Sequence, residues 1–277
     1  MTGIINIISL FWQDMINLLN LNSKTKESLK NLQYFKPLKQ DGIVKIPQFI
    51  SPELADSLRV KIEELALKNP TSILLENGSK FNYRSEGTPE GPDYGMLDIF
   101  NIENLLQEVT EIDQDGLVQL LKKVTGQEVI KLRANAYLNI GIKNTRGYHV
   151  DNTQPVVYKA FVYLTDVPNI EYGPYSFIKK SHKFSKSVYS NLFRNLFSSA
   201  YRSSDMPRIN NNQVVDMLGS KGDLILSNQN GIHRGHPQLG DKKRVALIFS
   251  FIVKSKLSYF SPNMRQIILK NAGNTNS

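Results

Sequence analysis

Val129-Ile130-Lys131-Leu132-Arg133-Ala134-Asn135-Ala136-Tyr137-Leu138-Asn139-Ile140 is the stretch that decides the fold. Ile130, Leu132, Ala134, Ala136, Leu138 and Ile140 alternate with Lys131, Arg133, Asn135, Tyr137 and Asn139. Successive side chains of a strand point to opposite faces, so this period of two reads as one strand with an apolar and a polar face. More strands are predicted downstream over 156–165, 174–179, 214–218, 222–227 and 243–253, with turns at Gly173-Pro174 and Gly222-Asp223.

Upstream of this run the pattern changes. Gly42 opens a short apolar strand, Ile43 to Ile46. Ser51-Pro52-Glu53 places an N-cap, a proline at the first helical position and an acid in the first turn, so a helix is predicted from there to about Lys68. Residues 103–124 are helical in period and Gly126 is the expected stop, whereas 77–95, rich in glycine and polar residues, reads as a long loop. Helices first and strands afterwards make an α+β chain with a mainly β core, closed as a sandwich or barrel with the N-terminal helices packed on it.

One segment interrupts the strands. Val188, Tyr189, Leu192, Phe193, Leu196, Phe197, Ala200 and Tyr201 have helical spacing and predict an insert over 185–203, serving as a cover for the barrel end or a lid. The expected organisation is an N-terminal extension over 1–38, a domain over 39–260 and a tail over 261–277. Within that domain come a helical part at 51–125 and a β core at 129–253. In the extension, Ile4, Ile5, Ile8, Phe11, Trp12, Met15, Leu18 and Leu19 lie at helical spacing. Residues 4–19 are therefore expected to pack on the domain or to form a peripheral contact with a membrane or partner. No lysine or arginine precedes Lys24, so the basic start of a signal peptide is missing and a cytoplasmic location is expected.

Composition narrows the chemistry. With 40% hydrophobic residues the chain can build a core. It has no cysteine, which excludes disulfides, thiolate metal sites and a catalytic thiol. Any metal must therefore be held by His, Asp or Glu, and the histidines are only His149, His182, His233 and His236. The net charge of +9 favours an anionic partner or substrate. Residues 86–115 carry nine acids and no base, while 179–208 carry seven bases and one acid. A nucleic-acid binder usually needs one continuous basic face, so this segregation is read either as a local anionic contact or as two solvated faces of opposite sign.

His149-Val150-Asp151 follows the deciding strand, and residues i and i+2 of an extended chain point the same way. One imidazole and one carboxylate thus face a common point. The third ligand must come from His182, His233 or His236, and His233 is the best placed, in Gly231-Ile232-His233 after the turn that follows a strand. Two histidines and a carboxylate on one face of a metal are the pattern of non-haem Fe(II) oxygenases. A chelating co-substrate such as 2-oxoglutarate needs a cation for its far carboxylate. Arg244, eleven residues beyond His233 at the start of the last strand, suits that role, with Lys243 as the alternative.

Four pieces, in this order, resemble the phytanoyl-CoA dioxygenase-like family of Fe(II)/2-oxoglutarate oxygenases. The first runs from Asp41-Gly42-Ile43-Val44 to Ile50-Ser51-Pro52-Glu53, and the second is Gly147-Tyr148-His149-Val150-Asp151. The third runs from Phe161 to Asp166, through Gly173-Pro174, to Lys180-Ser181-His182-Lys183, and the fourth from Gly222-Asp223-Leu224 through Gly231-Ile232-His233-Arg234-Gly235 to Arg244. The resemblance implies a double-stranded β-helix, that is, a jelly-roll or cupin-like barrel. It implies iron on His149, Asp151 and His233, 2-oxoglutarate anchored by Arg244, O2 as oxidant, and His182 as a structural turn histidine. Tyr137 and Asn139, on the polar face of the strand leading to His149, and Lys159, on the next strand, are expected to line the cofactor pocket. The chain departs from the family's motifs at Lys179-Lys180, often Pro-Gly, and at Arg234-Gly235-His236, often Gly-Ser-Gly.

The function implied is hydroxylation of a small or carrier-bound metabolite with release of succinate and CO2. Related halogenases have a small residue at the position of Asp151, so the carboxylate here favours hydroxylation. Two other readings are set beside it. One is a non-catalytic β-barrel binding module. The other is an oxidative nucleic-acid demethylase, which the alkylation-repair pattern disfavours because its second arginine is Ser250 here.

Overall fold

The computed structural model describes residues 32–84, 91–151, 156–183, 204–209 and 211–254, together with 190, 191, 193, 194 and 197. The helix expected at 4–19, most of the insert at 185–203 and the tail at 261–277 lie outside the described residues. In chain order the elements are α1 (Leu32–Asp41), β1 (Ile43–Ile46), α2 (Pro52–Lys68), β2 (Ile73–Leu74), β3 (Lys80–Tyr83) and β4 (Leu97–Phe100). Next come α3 (Gln114–Thr125), β5 (Glu128–Lys131), β6 (Asn135–Ile140), β7 (Val157–Tyr163) and β8 (Tyr175–Ile178). The last are β9 (Val214–Met217), β10 (Leu224–Asn228), β11 (His233–Gly235) and β12 (Lys243–Lys254).

Local chemistry sets the helix ends. The Ser51 hydroxyl accepts from the Leu54 N–H at 3.2 Å, and Pro52 fills the first helical position of α2, where its missing N–H has no partner to lose. The helix expected over 103–124 is instead two single 3₁₀ turns, Ile102–Asn104 and Gln107–Glu111, followed by α3. Ile112 is extended between them, and Asp113 starts α3 anew by accepting from the Gly116 N–H at 2.8 Å. Gly126, at φ 67°, ends α3 in the left-handed region, where glycine has no Cβ penalty.

Two antiparallel sheets form the body. The main sheet runs β1-β10-β7-β12-β6-β4-β3-β2, with β5 also on β12, and the smaller one runs β11-β8-β9. Both sheets contribute to a small core of Tyr163, Tyr175, Phe177, Met217, Ile225 and Ile248 between them. The other face of the main sheet carries the large core, where Val245, Leu247, Phe249 and Phe251 of β12 meet Leu58 and Ile62 of α2 and Leu117 and Leu121 of α3. The architecture is a jelly roll, a double-stranded β-helix with helices laid on its larger sheet.

Two expectations change. The strand read over 129–140 is two strands on one partner. Lys131 pairs with Phe251 and Asn135 with Ile248, so three residues face two across the ladder. That one-residue bulge reverses which side chains point inward. Val129 is buried before it, Ala134, Ala136 and Leu138 after it, and Ile140 is exposed. The loop expected at 77–95 contains β3, which pairs with β2 and β4, so the part expected to be helical also supplies three strands of the main sheet.

Candidate metal centre

β6 leaves the main sheet at Ile140, and the chain crosses to the smaller one, where His149 lies opposite His233 at the head of β11. Each histidine's N–H donates to the other's carbonyl at 2.9 Å. The Asp151 N–H donates to the Gln229 carbonyl at 3.1 Å, which fixes the second end of the His-x-Asp turn. The two imidazole centroids are 4.5 Å apart, and the Asp151 Oδ1 is 3.6 Å from His149 Nε2 and 3.7 Å from His233 Nε2.

The other ring nitrogens define the protonation. His149 Nδ1 faces the Gly147 carbonyl at 2.8 Å and His233 Nδ1 faces the Gly231 carbonyl at 2.9 Å. A carbonyl only accepts, so each Nδ1 carries the hydrogen and each Nε2 presents a lone pair. Two imidazole Nε2 atoms and a carboxylate oxygen therefore converge, with Oδ1 at 3.6 and 3.7 Å from them, beyond ordinary hydrogen-bond length. The group fits a cation, and among the described residues it is the cluster of His and acid side chains that could hold a metal ion. Burial, then neighbouring His233, pushes His149 down to about 4, which keeps it neutral. Burial alone would raise the Asp151 carboxyl, but contact with His233 and the ammonium of Lys159 reverses this and holds it below the ordinary carboxylate range.

The remaining expected residues occupy the same interior. Arg244 is buried at the start of β12, directly opposite Asn139 on β6. Its Nη1 donates to the Gly173 carbonyl, and the Asn139 amide, oriented with its oxygen forward, accepts from Nη2 at 2.8 Å. Neighbouring Lys243 points the other way, onto Glu63 of α2 at 2.9 Å, so it does not share the interior with Arg244. Tyr137 is opposite Asp98 of β4, and burial raises its pKa. Lys159 donates to Asp151 Oδ2 at 2.7 Å. His236 sits against the Pro237 carbonyl, away from the triad, and His182 is half-buried beside Gly42 with a hydrogen bond to the Lys39 main chain.

Tyr175 and Phe161 are interior residues that the sequence did not single out. Tyr175 stacks 5.5 Å from His233 and 4.6 Å from Phe161, and its hydroxyl accepts from Ser227 Oγ and Gln229 Nε2, each at 3.1 Å. Asp98, held by Arg84 at 2.8 Å, was missed as well. The signal in β7 was the shared face of Lys159, Phe161 and Tyr163. β8 is buried throughout, so it shows no period to read.

The family model described as phytanoyl-CoA dioxygenase (PhyH) matches residues 38–246. The chain belongs to the phytanoyl-CoA dioxygenase family. Its cofactors are those of that family, Fe(II) and 2-oxoglutarate with O2, and it is a non-haem iron, 2-oxoglutarate-dependent enzyme of oxygenase type. No curated protein matches the chain. Among solved structures, the epimerase SnoN in complex with Fe3+, alpha ketoglutarate and nogalamycin RO is similar at 14% identity, covering 80% of this chain and 83% of SnoN, with a TM-score of 0.58. The alpha ketoglutarate-dependent carbocyclase SnoK from nogalamycin biosynthesis is similar at 16% identity, covering 83% and 87%, with a TM-score of 0.57. HygX from Streptomyces hygroscopicus with nickel and 2-oxoglutarate bound is similar at 16% identity, covering 83% and 88%, with a TM-score of 0.53. At these identities the likeness establishes that this phytanoyl-CoA dioxygenase family member shares their fold. Among the described residues, no helix is long and apolar enough to cross a membrane.

Proposed function

We propose that the protein is a hydroxylase that couples oxidation of 2-oxoglutarate to succinate and CO2 with insertion of oxygen into a small or carrier-bound organic substrate. His149, Asp151 and His233 are its iron ligands. The observation that carries this reading is the convergence of three electron-pair donors on one point, with Asp151 Oδ1 3.6 and 3.7 Å from the two Nε2 atoms. Bound there, iron with its co-substrate supplies the activation of O2.

The chain's own residues do the rest. The Gly147 and Gly231 carbonyls hold both imidazoles in the tautomer that offers Nε2. Arg244 pairs with the far carboxylate of 2-oxoglutarate, and Asn139 and the Gly173 carbonyl orient its guanidinium. Tyr137 lies beside this arrangement on the same strand as Asn139. Phe161, Tyr175 and Ile248 form an apolar wall that keeps water from the reacting centre. Because Asp151 retains its carboxylate, the site keeps its third protein ligand and hydroxylation is favoured over halide transfer.

The test is anaerobic addition of Fe(II) and 2-oxoglutarate to wild type and His149→Ala, followed by a screen for succinate release with carboxylated, acyl-carrier and glycan-lipid candidates. A visible charge-transfer band in wild type alone, and substrate-coupled succinate with an oxygenated product, support the reading. A substrate isomerised or cyclised without gaining oxygen would replace hydroxylation, and a folded wild type with no band would remove the ligand assignment.

A further inference from the structure

The two oxygens of Asp151 have different partners. Oδ1 faces both imidazoles, while Oδ2 accepts from Lys159 Nζ at 2.7 Å. From this we propose that Lys159 is a positioning residue that holds Asp151 to iron through Oδ1 alone. The inference rests on the iron assignment above.

The lysine is built into the barrel wall. It projects inward from β7, and its rung neighbours are Ser227 on β10 and Ser250 on β12, two small side chains that leave room for a four-carbon stem. Its ammonium forms an ion pair with Asp151. Lys159 does not duplicate Arg244. The Lys159 ammonium is on Asp151 Oδ2, whereas the Arg244 guanidinium is on the Gly173 carbonyl and the Asn139 amide oxygen. One cation thus acts on the protein ligand and the other on the co-substrate's far carboxylate.

A carboxylate with both oxygens free can chelate a metal and occupy two positions. A facial triad leaves just enough open positions for a two-point keto acid and for O2. If Asp151 turned bidentate, it would compete with the keto acid for one of them. An ammonium on Oδ2 prevents this in two ways. It occupies the second oxygen, and its positive charge repels the metal from that side, which weakens iron binding somewhat while keeping the co-substrate position open.

This gives an unusual pair of signs. Lys159→Met should bind Fe(II) several-fold more tightly in the absence of 2-oxoglutarate, because a like charge is gone and a second oxygen is free. The same variant should bind 2-oxoglutarate several-fold more weakly, because Asp151 Oδ2 would then compete for a keto-acid position. Lys159→Arg, which keeps the cation, should stay near wild type in both.

Iron affinity is measured anaerobically by competition with a chromophoric chelator, and co-substrate affinity by titrating the charge-transfer band. Unchanged or weaker iron binding in a folded Lys159→Met variant overturns the proposal. A loss confined to 2-oxoglutarate does so too, since it would mean direct contact with the co-substrate. If the Met variant does not fold, Lys159→Gln, a neutral donor, is read by the same criteria. If wild type shows no iron binding sensitive to His149→Ala, the iron assignment itself fails and this inference falls with it. Failure of the Lys159 variants alone leaves the iron assignment standing.

Discussion

His149 and His233 occupy one rung of an antiparallel ladder, each donating its N–H to the other's carbonyl at 2.9 Å. The backbone therefore presents the two imidazoles side by side before any metal arrives. His149→Ala and His233→Ala should each keep the rung and the fold, because the bonds that place them are main-chain bonds. Iron affinity should fall beyond the ~10–100-fold that loss of an outer-shell partner costs. Circular dichroism and anaerobic Fe(II) titration of the same samples check both halves of this expectation.

Arg244 is the second test. A buried guanidinium paired to a carboxylate is worth about 2–5 kcal/mol when one partner is truncated. Arg244→Met should raise the 2-oxoglutarate requirement by more than tenfold while leaving iron binding near wild type. Asn139→Ala should move it in the same direction by less, since Asn139 touches the guanidinium and acts through it. Titrating 2-oxoglutarate against the charge-transfer band separates the two.

The apoprotein should lose stability in acid through His182. Burial, then Lys183, pushes His182 down to about 4 from an ordinary 6.5. The unfolded chain takes up this proton as pH falls below 6.5, while the folded chain resists until about 4. Stability is thus full above pH 6.5, declines between 6.5 and about 4, and levels off below. The loss is on the order of 3 kcal/mol at ~1.4 kcal/mol per unit. His182→Phe should flatten the urea-stability profile over this window, and the slope is the readout, whatever the variant's absolute stability.

Gly222 is the fourth. It sits at φ 92°, a Cβ there would collide with the Ile50 carbonyl oxygen, and the Ile50 N–H donates to the Gly222 carbonyl at 3.2 Å. Gly222→Ala should cost about 1–3 kcal/mol from backbone strain, before the clash is added. Next to it, Asp223 Oδ1 accepts from the Gln48 N–H at 3.0 Å and Oδ2 from the Ser220 N–H at 3.1 Å. Asp223→Ala would leave those donors unpaired, at about 1–3 kcal/mol. Thermal melts of both variants test this.

What could be read from the residues followed from what was local. The cap at Ser51, the stop at Gly126, the His-x-Asp spacing and the strand limits near 43–46 and 243–253 each depend on neighbours within a turn or a rung. The bulge after Lys131 was not legible, because an extra residue shows only against its partner strand, and that partner lies more than a hundred residues away. The break before Asp113 was hidden for a related reason: the helical spacing continues through Ile112 although its backbone does not. In the interior, Arg244 was findable from its place eleven residues beyond His233, and Asn139 from the polar face of its alternating strand. The division of Asp151, with Oδ1 towards the imidazoles and Oδ2 towards Lys159, was not, because it depends on how strands from both sheets meet.

The strand order carries a further consequence for how the chain is made. β12 is the last described strand, yet it lies between β7 and β6 in the middle of the main sheet. During synthesis, everything through residue 242 must wait with two facing strand edges open, since their shared neighbour has not yet left the ribosome. The same strand brings Arg244, so the proposed co-substrate anchor arrives with the piece that closes the sheet. A chain stopped before residue 243 would be missing its keystone, and its exposed edges would be ready to pair with another unfinished copy.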